Sequence, residues 1–159
     1  MSSDPARQLL RHALATLAYR GGKAVRGAPD SFADFSASPE TRTPGQILAH
    51  IGDLLDWALS MARGRQQWRQ SPPLPWPEEV RRFFAALEAF DAYLASDGPL
   101  HAPVEKLLQA PIADALTHVG QITMLRRIAG VPIRAENYYV AKIAAGSVGA
   151  DQPAPVREL

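Results

Sequence analysis

The stretch PIADALTHVGQITMLRRIAG, residues 111–130, decides how the chain folds. At about 100° per residue, Ile112, Ala115, Val119, Ile122, Leu125 and Ala129 gather on one broad side, as in a helix packed into a core. Asp114, His118 and Gln121 lie along one flank of that arc, so polar groups project from one stripe of a largely buried helix. The opposite side carries Ala113, Thr117, Gly120 and Met124, small or apolar residues that a second helix or second subunit can approach closely. Pro111 suits a first-turn position, Arg126 and Arg127 suit the negative C-terminal end, and Gly130 followed by Pro132 gives a stop.

A second helix announces itself at Thr43-Pro44-Gly45-Gln46, a capping box with proline at the first helical position, which feeds ILAHIGDLLDWALSMARG. Ile47, Ile51, Leu54, Leu55, Ala58 and Ala62 form its buried face; Asp53, Asp56, Ser60 and Arg63 take the wet one. His50 belongs to the border, beside Leu54, Trp57 and Met61, where an imidazole looks into a pocket between helices. Gly64 closes the helix.

A third helix is expected from Glu78 to about Ser96, with Val80, Phe83, Phe84, Leu87, Phe90 and Leu94 facing in. The first is expected over residues 4–20, capped by Asp4 with Pro5 at its first position and ended by Gly21 and Gly22. Between these helices, residues 23–42 show no periodicity, although Phe32 and Phe35 can pin them to the body. Residues 65–77 hold four prolines, and their Trp68 and Trp76 serve either as apolar anchors or as a pocket wall. Pro103 opens a short helical piece, VEKLLQ, that Pro111 either kinks or separates from the helix beyond. After Gly130, Asn137 to Ile143 read as a short helix or an extended strap, with Tyr138 and Tyr139 as candidate lid residues. The Gly, Ala and Pro of the last dozen residues favour a loosely ordered tail. His12 and His101 read as solvated surface imidazoles.

The expectation is therefore all-α: one domain over residues 1–159, with a four-helix bundle over 4–130, long crossing loops, and a C-terminal strap and irregular tail over 131–159. A length of 159 residues suffices for a buried core without staples. With 17 basic against 16 acidic side chains, no field attracts a nucleic-acid backbone or an anionic membrane. The absence of cysteine removes disulfides, thiolate ligands and a cysteine nucleophile. The N-terminus lacks the regions of a secretory signal, and no apolar run approaches the roughly 18 residues that span a bilayer. A cytoplasmic location is expected.

Histidines on two amphipathic helices, each at the edge of the apolar face, and an aspartate one turn before one of them form a pattern suited to a metal site in a bundle. The i, i+4 pair Asp114 and His118 can aim two donors at one point, and a facing helix can supply His50 as the third. Neutral imidazole nitrogen with a hard carboxylate oxygen suits divalent Zn, Ni, Mn or Fe rather than copper(I) or calcium. The bland reading, hydrogen-bonded core histidines and an ordinary helical Asp/His pair, stands beside it. Around the site, Gln121 and Trp57 are candidates to contact the ligands or a bound molecule, or simply to pack. Asp53, one turn from His50, either orients its second nitrogen or faces solvent.

With TPGQILAHIGDLLDWAL in the second helix and DALTHVGQITMLRRIAG in the last, the chain resembles the DinB-like, or YfiT-like, superfamily of metal-dependent hydrolases and thiol transferases, all helical bundles. The resemblance extends more loosely across residues 4–130. It implies one ligand histidine from the second helix, here His50, and an HxxxH-type pair in the last, whose second member, His118, precedes Val119-Gly120-Gln121-Ile122. The first member of that pair is Asp114 here, a departure from the all-histidine pattern that bears on metal affinity and preference. The implied function is a small divalent-metal-dependent enzyme, a hydrolase or thiol-dependent transferase, with metal-bound water or the thiolate of a low-molecular-weight thiol as reactive group and a small-molecule substrate. The competing reading is a non-catalytic dimeric helical bundle that binds a ligand or partner without using the metal. A homodimer through the second side of the 111–130 helix is expected in either case.

Overall fold

A computed structural model describes residues 4–159 as an all-helical fold without strands among those residues. The principal helices are α1 (Pro5–Val25), α2 (Pro44–Ala62), α3 (Trp76–Ala95) and α5 (Ala113–Ile128), with α4 (Val104–Leu107) leading into α5. Leu14, Leu17, Ile51, Leu55, Phe83, Leu87, Phe90, Ile112 and Ile122 meet in one core that every long helix feeds. No helix among the described residues is long and apolar enough to cross a membrane.

Cross-helix contacts fix the directions. Arg11 pairs with Asp91 and Arg7 donates to the carbonyl of Ser96, so α1 and α3 run antiparallel. Arg82 bonds Asp53 while Arg63 sits over the Tyr93 ring, so α2 and α3 run parallel. Parallel neighbours need a connection that travels the full length of the bundle. Residues 63–75 make it: at roughly 3.1 Å per residue a proline-rich strap reaches about 40 Å, whereas the 19 residues of α2 rise only about 28 Å. The strap is tied down as it goes, with Gln67 N–H on Ser60 Oγ at 3.0 Å, Ser71 N–H on Asp53 Oδ2 at 2.9 Å and Leu74 N–H on Glu79 Oε2 at 2.8 Å.

Helix termini follow the sequence in places. At α2, Thr43 accepts from the Gln46 N–H and the Gln46 side chain accepts from the Thr43 N–H, a cap worth about 1 kcal/mol. Gly64 closes the helix at φ +75°. Elsewhere the expectations need correction. α1 does not stop at Gly21-Gly22 but continues to Val25, because both glycines face packed aromatic rings from α3: a Cβ on Gly21 would lie 2.6 Å from Phe83 Cζ. These glycines allow close packing. Pro111 does not open the last helix; it sits within a π turn, Leu108–Ile112, whose wider winding accommodates the missing N–H while the axis continues from α4 into α5.

The carbonyls at the end of α1 are capped from another helix. Arg126, buried, donates through Nη1 to the carbonyls of Ala24 and Arg26 and through Nε to that of Val131. The segment after α5 is docked at Glu136. Glu136 is buried, accepting from Tyr19 Oη at 2.5 Å and pairing with Lys23 Nζ at 2.8 Å; it bridges to Glu158, and Val148 enters the core. A buried carboxylate held by two donors outweighs the permissive composition of the segment.

Candidate metal centre

α2 and α5 pack antiparallel, and the site lies between them. His50 projects from α2 at 19% side-chain exposure, and α5 presents Asp114 and His118 one turn apart at 46% and 12%. Asp114 bridges the imidazoles: Oδ2 lies 3.7 Å from His50 Nε2 and Oδ1 lies 3.4 Å from His118 Nε2. The rings meet edge to face with centroids 4.8 Å apart. One donor atom from each of His50, Asp114 and His118 lies within 4.8 Å of the other two.

These separations can be compared with what an ion requires. Ligand bonds of roughly 2.0–2.2 Å in a tetrahedron put donors about 3.3–3.6 Å apart. Asp114 reaches the two imidazoles at 3.4 and 3.7 Å through different oxygens, and the three donors as a set span up to 4.8 Å, so closing on one ion takes small side-chain rotations. Two imidazole nitrogens and a carboxylate oxygen suit Zn, Ni, Mn or Fe in the divalent state, and the half-exposed Asp114 leaves one side of the cluster open. The donor set fits such an ion.

The surroundings orient the ligands. His118 Nδ1 lies 2.7 Å from Gln121 Oε1; with the amide so placed, Nδ1 donates and Nε2 keeps its lone pair toward Asp114 and His50. Burial pushes the His50 pKa below the ordinary histidine value, His118 and Arg42 add to that effect, and Asp114 opposes it. The imidazole is therefore neutral near pH 7. Trp68, on the strap, stands edge to face with both His50 and Trp57 at centroid distances of 5.7 and 5.8 Å. It forms a wall of the site, whereas Trp76 is a core anchor stacked edge-on against Phe32.

Trp57 packs beside the cluster and shares a shallow cleft with Asp114, Leu54 and Thr117, its indole N–H buried without an acceptor. Asp53 requires correction: it is neither on the wet face nor oriented to His50. It is 3% exposed and held by Arg82 at 2.6 Å and the Ser71 N–H, which turns its charge toward α3 and the strap. The candidate lid is also displaced. Tyr138 packs against Tyr19 and under Arg20, at the tail's own docking site, and Tyr139 is almost wholly exposed.

Sequence reasoning passed over Arg42. It borders two clefts, one reaching His50 and one reaching His118, and among the described residues it has no hydrogen bond or ion pair. Its place just ahead of the Thr43 cap is visible in the sequence; its position between the clefts depends on how residues 26–43 return to α2. Comparison of the chain with protein-family models, curated proteins and solved structures gave no match.

Proposed function

We propose that this protein is a small metal-dependent enzyme of the DinB-like kind, a hydrolase or thiol-dependent transferase that acts on a small molecule in the cytoplasm. One observation carries the reading: His50 from α2 and Asp114 and His118 from α5, far apart in sequence, bring donor atoms to within 4.8 Å of one another. These three side chains would hold the ion, Zn, Ni, Mn or Fe. When bound, such an ion lowers the pKa of a coordinated water or thiol and stabilises developing negative charge. The chain's own residues do the rest. Gln121 fixes the His118 ring, burial keeps His50 neutral, and Trp68 stands edge to face against His50 and Trp57. Asp114 stays on the accessible side, where a substrate approaches.

The test is elemental analysis of untagged protein with and without added divalent metal. A stoichiometric transition metal, lost on His50→Ala, supports the proposal; protein that takes up no metal overturns it. The second reading, a non-catalytic bundle, is favoured by the hydrogen bond between His118 and Gln121, which gives that ring a partner without any ion. It predicts metal-free protein whose stability is unchanged by His118→Ala. A homodimer through the exposed Ala113, Thr117, Gly120 and Met124 side of α5 belongs to either reading.

A further inference from the structure

Beside the His118 face of the cluster runs a groove of about 530 Å³, between residues 37–47 and the outer half of α5. That volume lies within the usual range for small-molecule sites. Its apolar lining is Ala37, Ile47, Leu125, Met124 and Ile128, with Met124 and Ile128 more than half exposed. Its polar lining is Thr41, Arg42, Gln121 and His118, and no carboxylate lines it.

Two donors in that lining are uncommitted. Arg42 has no hydrogen bond or ion pair among the described residues. Gln121, itself exposed, spends its oxygen on His118 Nδ1, and its amide N–H groups donate to nothing among the described residues. Arg42 itself is exposed, whereas the buried or half-buried arginines are all engaged: Arg7 and Arg126 on carbonyls, Arg11 and Arg82 on carboxylates. A free guanidinium and a free amide over an apolar trough call for an anion with a hydrocarbon body, and a guanidinium matches the two oxygens of a carboxylate.

We infer that the groove binds a small amphipathic carboxylate, its anionic end on Arg42 and Gln121 and its apolar part along Ile47, Leu125, Met124 and Ile128. Calling this occupant the substrate rests on the function proposed above; the binding itself does not need the metal. The occupant's polar end then lies beside His118, at the mouth of the cluster.

The probes are sodium octanoate, octan-1-ol and octylammonium chloride, titrated calorimetrically into the full chain, both metal-free and after exposure to cobalt(II). The methyl resonance of Met124 reports occupancy, with Met61 on α2 as internal control. Octanoate is expected to bind at least about tenfold more tightly than the alcohol or the amine and to shift Met124 but not Met61. Arg42→Ala is expected to erase that roughly tenfold preference, Arg42→Lys to restore part of it, and Arg127→Ala, at an exposed position outside the groove, to leave it intact. Equal affinity for octanol and octanoate overturns the inference, as does full octanoate binding by Arg42→Ala or equal loss in Arg127→Ala. Arg42-dependent octanoate binding by protein that takes up no cobalt keeps the groove and removes the metal centre. Cobalt uptake without octanoate binding keeps the metal centre and removes the groove.

Discussion

Replacing Gly21 by alanine sets two opposing effects of known size against each other. In a helix interior, alanine is favoured over glycine by about 1 kcal/mol, because glycine loses more backbone entropy on folding. At Gly21, however, the added Cβ would lie 2.6 Å from Phe83 Cζ, 3.1 Å from Cε1 and 3.5 Å from Val119 Cγ2. Ordinary carbon contacts begin near 3.5 Å, so the ring has to retreat by almost 1 Å. Phe83 is fully buried and packed against Phe84 at a centroid distance of 4.9 Å, which leaves it no free direction. Overpacking costs about 1–3 kcal/mol, and a contact this short against a fully buried ring belongs in the upper part of that range, about 2–3 kcal/mol, which exceeds the helical gain. The expected outcome of Gly21→Ala is a net loss of about 1–2 kcal/mol, or a Tm lower by about 3–6 °C. Urea unfolding, with slope and midpoint fitted separately, measures the change. A Gly21→Ala protein as stable as the parent, with an unchanged slope, would refute the close α1–α3 approach.

Four other outcomes are expected. Asp91→Ala strands the buried Arg11 guanidinium, now held by bonds of 2.9 and 3.0 Å, and should cost about 3–5 kcal/mol in chemical unfolding; a loss below about 1 kcal/mol would mean that Arg11 finds water instead. Gln121→Leu, which leaves His118 Nδ1 without its acceptor, should weaken cobalt(II) binding by about 10–100-fold in a spectroscopic titration while the exposed site keeps stability within about 0.5 kcal/mol. Burial and the bond to Glu136 raise the Tyr19 pKa well above the tyrosine range, in a pocket also faced by Lys23, Arg26 and Tyr138. The unfolded chain then loses this proton first, so stability present below about pH 10 is lost as pH rises further; Tyr19→Phe should flatten that decline, and an identical slope in the variant would count against the raised pKa. Sedimentation at micromolar concentration should give a dimer, and Gly120→Ala should weaken it if the open side of α5 meets its partner there; a monomer removes the dimer.

Local rules read well where local energetics dominate. The reciprocal Thr43–Gln46 cap, the inward-facing apolar residues of α2 and α3 and the stop at Gly64 were legible because each depends on residues within about one turn. The placement of Asp114 and His118 on one flank of α5 followed from helical spacing, and the i, i+3 relation of His118 and Gln121 was equally local. Gly21-Gly22 misled because a glycine pair reads alike as a helix end and as a place where an aromatic ring needs room. Asp53 misled because helical angle alone left it wet, whereas a charge from α3 and an N–H from the strap made burial affordable. The docking of the segment after α5 was not legible because composition is blind to one glutamate that fits between a tyrosine and a lysine on α1.

The amino-acid order by itself determined that the chain forms amphipathic helices, where α2 is capped and closed, and which residues carry donor atoms; these are matters of a few neighbouring residues. Only the tertiary structure decided that α2 and α3 run parallel, that the proline-rich strap brings Trp68 over His50, and that Arg42 stands uncommitted between two clefts. Those outcomes depend on which faces pack together across tens of residues, and the free energy that selects among packings resides in the assembled core rather than in any one segment.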